Sequence, residues 1–339
     1  MLFENVRIEA MGYDIGPEIV TSADLEEQFS DTLARLKIRP GVLEAISGIR
    51  ERRFWKLGTK PSEIATTAAL KAIDIAGIDP SEIGVLISTS VMKDFIEPSV
   101  ASLIHGNLRL SPHCMNYDVG NACLGFVNGI INASMMIEAR AIKYGLVVAG
   151  EAGRELIEST VRHLQKPDIT REDFMENLAT LTLGEGSVAM ILSHKDVAKT
   201  DHRINGAVNM AASEHNRLCV ASPTLMKTYP AKLMQAGVKL MVNTWRIAAK
   251  TLENITDDSI KMYVPHQVSS HNTTAFVNAL NLTPAKFKLT FPTMGNTGPV
   301  GLPTALAMAE VEGELSAGDH VCLLGIGSGL NATLMSVTW

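Results

Sequence analysis

Apolar runs bounded by glycine recur in the same order in two parts of the chain. Ile83–Val91 (IGVLISTSV) and Tyr144–Glu151 (YGLVVAGE) are short continuous apolar runs, the pattern of strands buried on both faces. Between them, Phe126–Ile142 is long, apolar on most sides, and reads as a helix. The second part repeats this order. Ile260–Val268 (IKMYVPHQV) predicts a strand ending at His266, Gly301–Gly313 predicts a helix, and His320–Leu330 (HVCLLGIGSGL) predicts a strand running into a glycine-rich turn. A Gly-Asn turn stands in each part, at Gly120-Asn121 and at Gly295-Asn296. Asn121 lines up with Asn296, and Thr89 with His266, at an offset of about 175 residues.

A repeat of this size is a duplicated β-α-β unit. It predicts an α/β fold of two similar halves, 1–195 and 196–339, with mostly parallel strands between layers of helix. Ligands in such sheets gather beyond the carboxyl ends of the strands, where Cys123, His266 and Asn296 all fall. Between the repeated elements, 154–192 reads as a more polar helical insertion that returns to a strand at Ser187–Leu192. The stretch 217–252 reads as largely helical, and its methionines suit either ordinary core or the wall of an acyl-chain channel.

The 339 residues are 46% hydrophobic, enough for a large core, and the net charge of −6 argues against nucleic acid as the main partner. No apolar run approaches the roughly 18 residues of a membrane span, and Met1–Asp14 mixes charges with apolar residues unlike a signal peptide. The four cysteines, Cys114, Cys123, Cys219 and Cys322, form neither a disulfide framework nor a metal-ligand spacing. Reduced thiols, a cytoplasmic location and no bound metal are therefore expected.

A buried structural thiol is the default for any one cysteine. Cys123 differs because Gly120 and Asn121 permit a sharp turn before it, and the helix after it would favour the thiolate through its N-terminal field. Cys114 and Cys322 lie in strand-like runs and read as core, and Cys219 sits in an irregular stretch. His266 is one of nine histidines, set apart because its strand delivers it to the edge of the sheet where ligands bind. Asn296 is an ordinary turn residue but for its repeat relation to the Cys123 turn. Gly325–Leu330 (GIGSGL) lacks the lysine of a phosphate loop and opens no βαβ unit, so a backbone N–H near Ser328 serving an oxyanion is the better use. Glu97 precedes Pro98 and follows Phe95 and Ile96. That apolar flank predicts partial burial, which would raise its pKa and make it a usable base.

Four motifs in register resemble the thiolase-like condensing enzymes of the β-ketoacyl synthase III branch, with their Cys-His-Asn triad. They are DVGNACLGFVNG (118–129), VPHQVS (264–269), GNTGPVGLP (295–303) and GIGSGL (325–330). MLFENV (1–6), DFIEPSVAS (94–102), HCMNYDVGNACL (113–124) and LTLGEGSVAM (181–190) are similar to the members that condense long-chain acyl-CoA in bacterial olefin biosynthesis. The resemblance implies a five-layered αβαβα fold and a homodimer. It implies that Cys123 accepts a fatty acyl group, and that His266 and Asn296 support its transfer and stabilise the enolate of a second thioester. Backbone N–H groups of Cys123 and Ser328 would form the oxyanion hole. Glu97 would reach into the partner's site and deprotonate the second acyl-CoA. The implied reaction is a Claisen condensation without decarboxylation to a 2-alkyl-3-oxoacyl product, using long-chain acyl-CoA as substrate and no cofactor. Downstream olefin-pathway enzymes are possible partners.

The chemistry agrees with this. A thioester α-proton is only weakly acidic, so an enzyme that does not lose carbon dioxide needs an extra base, and Glu97 supplies a carboxylate. The chain departs from ordinary synthase III enzymes at HQVSS (266–270) and NTGPV (296–300). It keeps GIRERR (48–53), but the usual CoA-clamp positions look apolar near Val42 and Ile46. Two further readings stay open within the fold, a malonyl-ACP-dependent initiator and a pyrone-forming ketosynthase. One of another class is a non-catalytic acyl-binding or thioesterase-like protein.

Overall fold

A mixed nine-stranded sheet runs through the whole chain in the computed structural model, which describes residues 1–339. Its strands are β1 (Val6–Ile15), β2 (Ile83–Ser88), β3 (Met115–Asp118), β4 (Tyr144–Glu151), β5 (Gly186–His194), β6 (Arg203–Ala211), β7 (Ile260–Pro265), β8 (His320–Gly327) and β9 (Asn331–Thr338). The hydrogen-bonded order is β7-β8-β9-β6-β1-β5-β4-β2-β3. β2 pairs in parallel with both β3 and β4, and β5 runs antiparallel to β4 and β1. The second half repeats this. β7 is parallel to β8, β9 is antiparallel to β8 and β6, and a parallel bridge from Tyr263 to Phe287 stands where β3 stands in the first half. Antiparallel pairs of Arg7 with Arg203 and Leu2 with Gly206 join the halves.

Antiparallel neighbours outnumber parallel ones, against the expectation of mostly parallel strands. The connections explain it. β8 and β9 are joined by the short turn Ser328–Leu330, and a connection of that length can only be antiparallel.

The helices stack in layers. α1 (Pro61–Ala76) and α2 (Val100–Leu108) cover the outer face of the first half, and α4 (Pro230–Thr251) and α5 (Ser270–Leu280) that of the second. α3 (Gly125–Glu138) and α6 (Gly301–Val311) form the central layer. Both central helices are apolar nearly all round, as a helix held between two sheets must be. One core cluster joins Phe126, Ile130 and Leu306 to β2, β4 and β5 on one side and to β7, β8 and β9 on the other. Together these layers make the αβαβα arrangement. A separate apolar cluster around Leu43, Phe29, Phe174 and Leu181 builds a cap from residues 25–54 and 157–181. No helix is long and apolar enough to cross a membrane.

Individual elements follow their local chemistry. α1 begins with Pro61 at its first position and stops at Gly77, whose φ is +58°. The residues expected to be largely helical from 217 begin instead as an antiparallel ribbon, Cys219–Ala221 with Met226–Thr228. Ser222 N–H closes that turn onto the Leu225 carbonyl around Pro223, and helix α4 starts only at Pro230. Of the methionines in α4, Met241 is fully buried core and Met234 is exposed. β2 and β7 each end three residues before the apolar run does.

α1 lies close against the sheet because small residues meet there. A Cβ on Gly12 of β1 would fall 2.5 Å from Ala68 O and 2.5 Å from Ala72 N, backbone atoms that cannot yield. Gly12→Ala is therefore expected to lose about 1–3 kcal/mol of stability. The urea midpoint reads this, and an unchanged midpoint would contradict the packing.

Candidate active site

Cys123 sits in a turn between β3 and α3. Leu124 N–H donates to Asn121 O (3.0 Å) and Gly125 N–H to Ala122 O (3.0 Å). The residue forced into the left-handed region is Ala122, with φ +46°, and not Gly120 or Asn121. A non-glycine residue held there is strained and persists only because its surroundings hold it. Asn121 does much of the holding. Its Nδ2 donates to Asn128 Oδ1 (2.7 Å), and its Oδ1 accepts from Asn331 Nδ2 (2.9 Å) at the start of β9.

The end of β8 presses on this turn. A Cβ on Gly327 would lie 2.9 Å from Asn121 O and 3.1 Å from Leu124 N, and one on Gly325 would lie 2.5 Å from Leu124 Cδ1. Only glycine allows the strand so close to the residues that flank Cys123.

His266 is the first residue beyond β7. Its N–H donates to Leu324 O of β8 (2.9 Å), just as Thr89 N–H at the end of β2 donates to Val148 O (2.8 Å). The pairing of Thr89 with His266 read from the sequence is thus a true structural equivalence. Next to it, Gln267 is fully buried and spends its whole amide on backbone. Nε2 donates to Pro265 O (2.9 Å) and Lys288 O (3.1 Å), while Oε1 accepts from Thr290 N–H (2.8 Å) and Phe291 N–H (3.3 Å). This ties the His266 strand to the segment that leads to Asn296. Asn296 is then clamped by its backbone: its N–H donates to Thr182 O (2.8 Å) and its carbonyl accepts from Gly184 N–H (3.0 Å). Its Oδ1 accepts from Gly298 N–H (3.0 Å), which leaves the Nδ2 donors to be presented.

Burial governs the electrostatics. It pushes the Cys123 thiol up to about 12, with Cys219 and Glu151 adding in the same direction. The expectation that the following helix favours the thiolate is therefore overturned. The first N–H groups of the turn are spent on Asn121 and Ala122, and desolvation wins. Burial also holds the His266 imidazole down at about 4, and its Nδ1 is buried without a partner. At neutral pH Cys123 is thus a thiol and His266 a neutral imidazole. Glu151, at the end of β4, is raised to about 8, mainly by burial.

Residues 117–212 match the 3-oxoacyl-[acyl-carrier-protein] synthase III family, and residues 251–339 match its C-terminal family. Over 339 residues the chain is 40% identical to the acyl-CoA:acyl-CoA alkyltransferase of Xanthomonas campestris pv. campestris, with both chains covered in full. The chain belongs to this alkyltransferase family of thiolase-fold enzymes. A second member, from Shewanella oneidensis, is 35% identical over 353 residues, again covering both chains in full. Among solved structures, a cysteine-to-serine variant of Xanthomonas campestris OleA with bound lauric acid and lauroyl-CoA superposes with a TM-score of 0.97. It is 40% identical and covers all of both chains.

One residue singled out for the alkyltransferase chemistry is not brought to the site by this chain. Glu97 stands exposed on the loop between β2 and α2, with Phe95 at 54% and Ile96 at 96% exposure. The apolar flank does not bury it, because those side chains point away from their own subunit's core. Cys114 and Cys322 are buried core thiols, as read from their strands. Cys219, which the sequence places in an irregular stretch, lies close enough to Ser328 and Cys123 to interact with both. No sequence pattern links residues 219 and 328; the ribbon brings them together. Glu151 and Gln267 were also passed over, although Gln267 adjoins His266. Val42 and Ile46 pack against the cap core. Two open surface clefts, of about 440 and 860 Å³, are lined by none of Cys123, His266, Asn296 and Glu97.

Two measurements test the site. Gln267→Leu strands two N–H groups and two carbonyls in the core, so a loss of at least about 2 kcal/mol is expected in chemical denaturation. For Cys123, the rate of alkylation by iodoacetamide should climb about tenfold per pH unit from pH 7 to 9. A plateau within that range would mean a thiolate already formed at rest.

Proposed function

We propose that this protein joins two long-chain acyl-CoA molecules by a Claisen condensation without decarboxylation. Full-length identity to an acyl-CoA:acyl-CoA alkyltransferase supports the reaction class. The observation that carries the choice of mechanism is Glu97, an extra carboxylate displayed on an exposed apolar loop.

In the first half-reaction, Cys123 Sγ attacks the thioester carbonyl of one acyl-CoA. His266 takes the thiol proton and returns it to the departing CoA sulfur. Cys123 N–H and Ser328 N–H receive the oxyanion. In the second, Glu97 of the partner subunit removes an α-proton from another acyl-CoA, and His266 and Asn296 Nδ2 donate to the enolate oxygen. The enolate carbon attacks the acyl carbonyl. Cys123 leaves as the thiolate and regains a proton as Glu97 gives up the one it took, which resets both groups, and the product is a 2-alkyl-3-oxoacyl-CoA. Atoms and electrons balance with acyl-CoA alone, so no cofactor or metal enters.

The same reading takes the enzyme as a cytoplasmic homodimer of subunits made from halves 1–195 and 196–339. Exposure of Phe95 and Ile96 around Glu97 supports a second copy covering that loop. Olefin-pathway enzymes that consume the product are its expected partners.

Incubation with myristoyl-CoA alone should release CoA and yield the 2-alkyl-3-oxoacid or the ketone left after it loses carbon dioxide. A strict need for a malonyl donor would instead establish an initiating synthase, and a cyclised product a pyrone-forming one. Cys123→Ala should abolish the acyl-enzyme seen by mass spectrometry. Glu97→Gln should keep the acyl-enzyme but slow condensation at least about a hundredfold.

A further inference from the structure

Glu151 is buried, with 6% exposure, borders the site, and has no part in the reaction just described. Both of its carboxyl oxygens bond the root of one loop, and the same carboxyl lies beside a second turn. Oε1 accepts from Val91 N–H (2.6 Å) and Oε2 from Met92 N–H (3.3 Å), at the root of the loop that carries Glu97. On the other side lies Gly298, where a Cβ would stand 3.8 Å from the carboxyl carbon. Gly298 N–H is the donor that orients Asn296 Oδ1. The neighbouring backbone pins the same root, since Gly150 N–H donates to Ser90 Oγ (3.0 Å). Farther along, Asp94 accepts from Ser62 Oγ (2.6 Å), and beyond it Phe95–Pro98 are exposed.

We propose that Glu151 is a positioning residue, setting the root of the Glu97 loop and the Asn296 turn with one buried carboxylate. The inference rests on the functional reading above. It explains why an acid is kept where burial and the nearby Glu185 both oppose its charge. Here Val91 N–H and Met92 N–H each meet a separate oxygen of the Glu151 carboxyl. A glutamine would offer one oxygen and turn an NH₂ toward an N–H. Glu97 and Asn296 both act when the carbon–carbon bond forms, so the loss should fall on that step.

The test compares the full-length wild type, Glu151→Gln and Glu151→Asp on myristoyl-CoA. The first-turnover burst of CoA reports acylation of Cys123, and steady-state product reports condensation. Glu151→Gln should acylate within about threefold of the wild type, while kcat for condensation falls at least about tenfold with KM little changed. Its melting temperature should stay within a few degrees of the wild type. Should Glu151→Gln fail to fold, Glu151→Asp, which keeps the carboxyl group but draws it back by one methylene, is expected to show the same split. Condensation at the wild-type rate overturns the proposal, as does a parallel fall of both steps with melting temperature. A wild type that makes no product from acyl-CoA alone overturns the functional reading, and this inference with it.

Discussion

The close approach of β8 to the turn before α3 is the contact on which the site depends. Gly325 and Gly327 remove the side chains that would strike Leu124 and Asn121, so the strand end and the Cys123 turn share one small volume. Ser328 follows directly at the strand end, and β7, hydrogen-bonded alongside β8, delivers His266 to the end of the same strand pair. The contact is also where the halves interlock, since Asn331 at the start of β9 donates to Asn121 in the first half. The left-handed Ala122 is tolerable only in such a setting, where neighbours on all sides hold the backbone in place.

Removing this volume from water sets the protonation of everything in it. Burial raises the Cys123 thiol and the Glu151 carboxyl and lowers the His266 imidazole, in each case by disfavouring the charged form. In the proposed reaction that dry, uncharged resting state matters. Charge appears only when the thiol proton moves to the imidazole, and fixed N–H dipoles then meet the oxyanion without rearrangement. Gln267 and Asn121 are the polar groups that make such a site rigid. Each satisfies its amide within the fold, Gln267 on backbone and Asn121 on other side chains, so neither is left free to reorient.

The repeat was legible because duplicated elements keep the same order of apolar runs and turns. Thr89 and His266 prove equivalent down to the carbonyl each N–H reaches. The burial of the central helices was legible too, since α3 and α6 are mostly apolar. Strand direction was not. A continuous apolar run looks the same whether its neighbour is parallel or antiparallel, and the tight Ser328–Leu330 turn decides it for β8 and β9. The ribbon at Cys219–Thr228 was missed because its strands are only three residues long, too short for any periodicity to show.

By itself the sequence determined the α/β class, the duplication, and Cys123, His266 and Asn296 as the residues to watch, because order and local turn chemistry are written along the chain. The tertiary structure decided their chemical states and their company. Desolvation depends on what packs overhead, so the thiol stays protonated where the local helix argument made it a thiolate. Exposure depends on the whole surface, so Glu97 stands outside its own subunit's core despite apolar neighbours. Cys219, Glu151 and Gln267 enter the site through contacts between distant segments, which no short motif records.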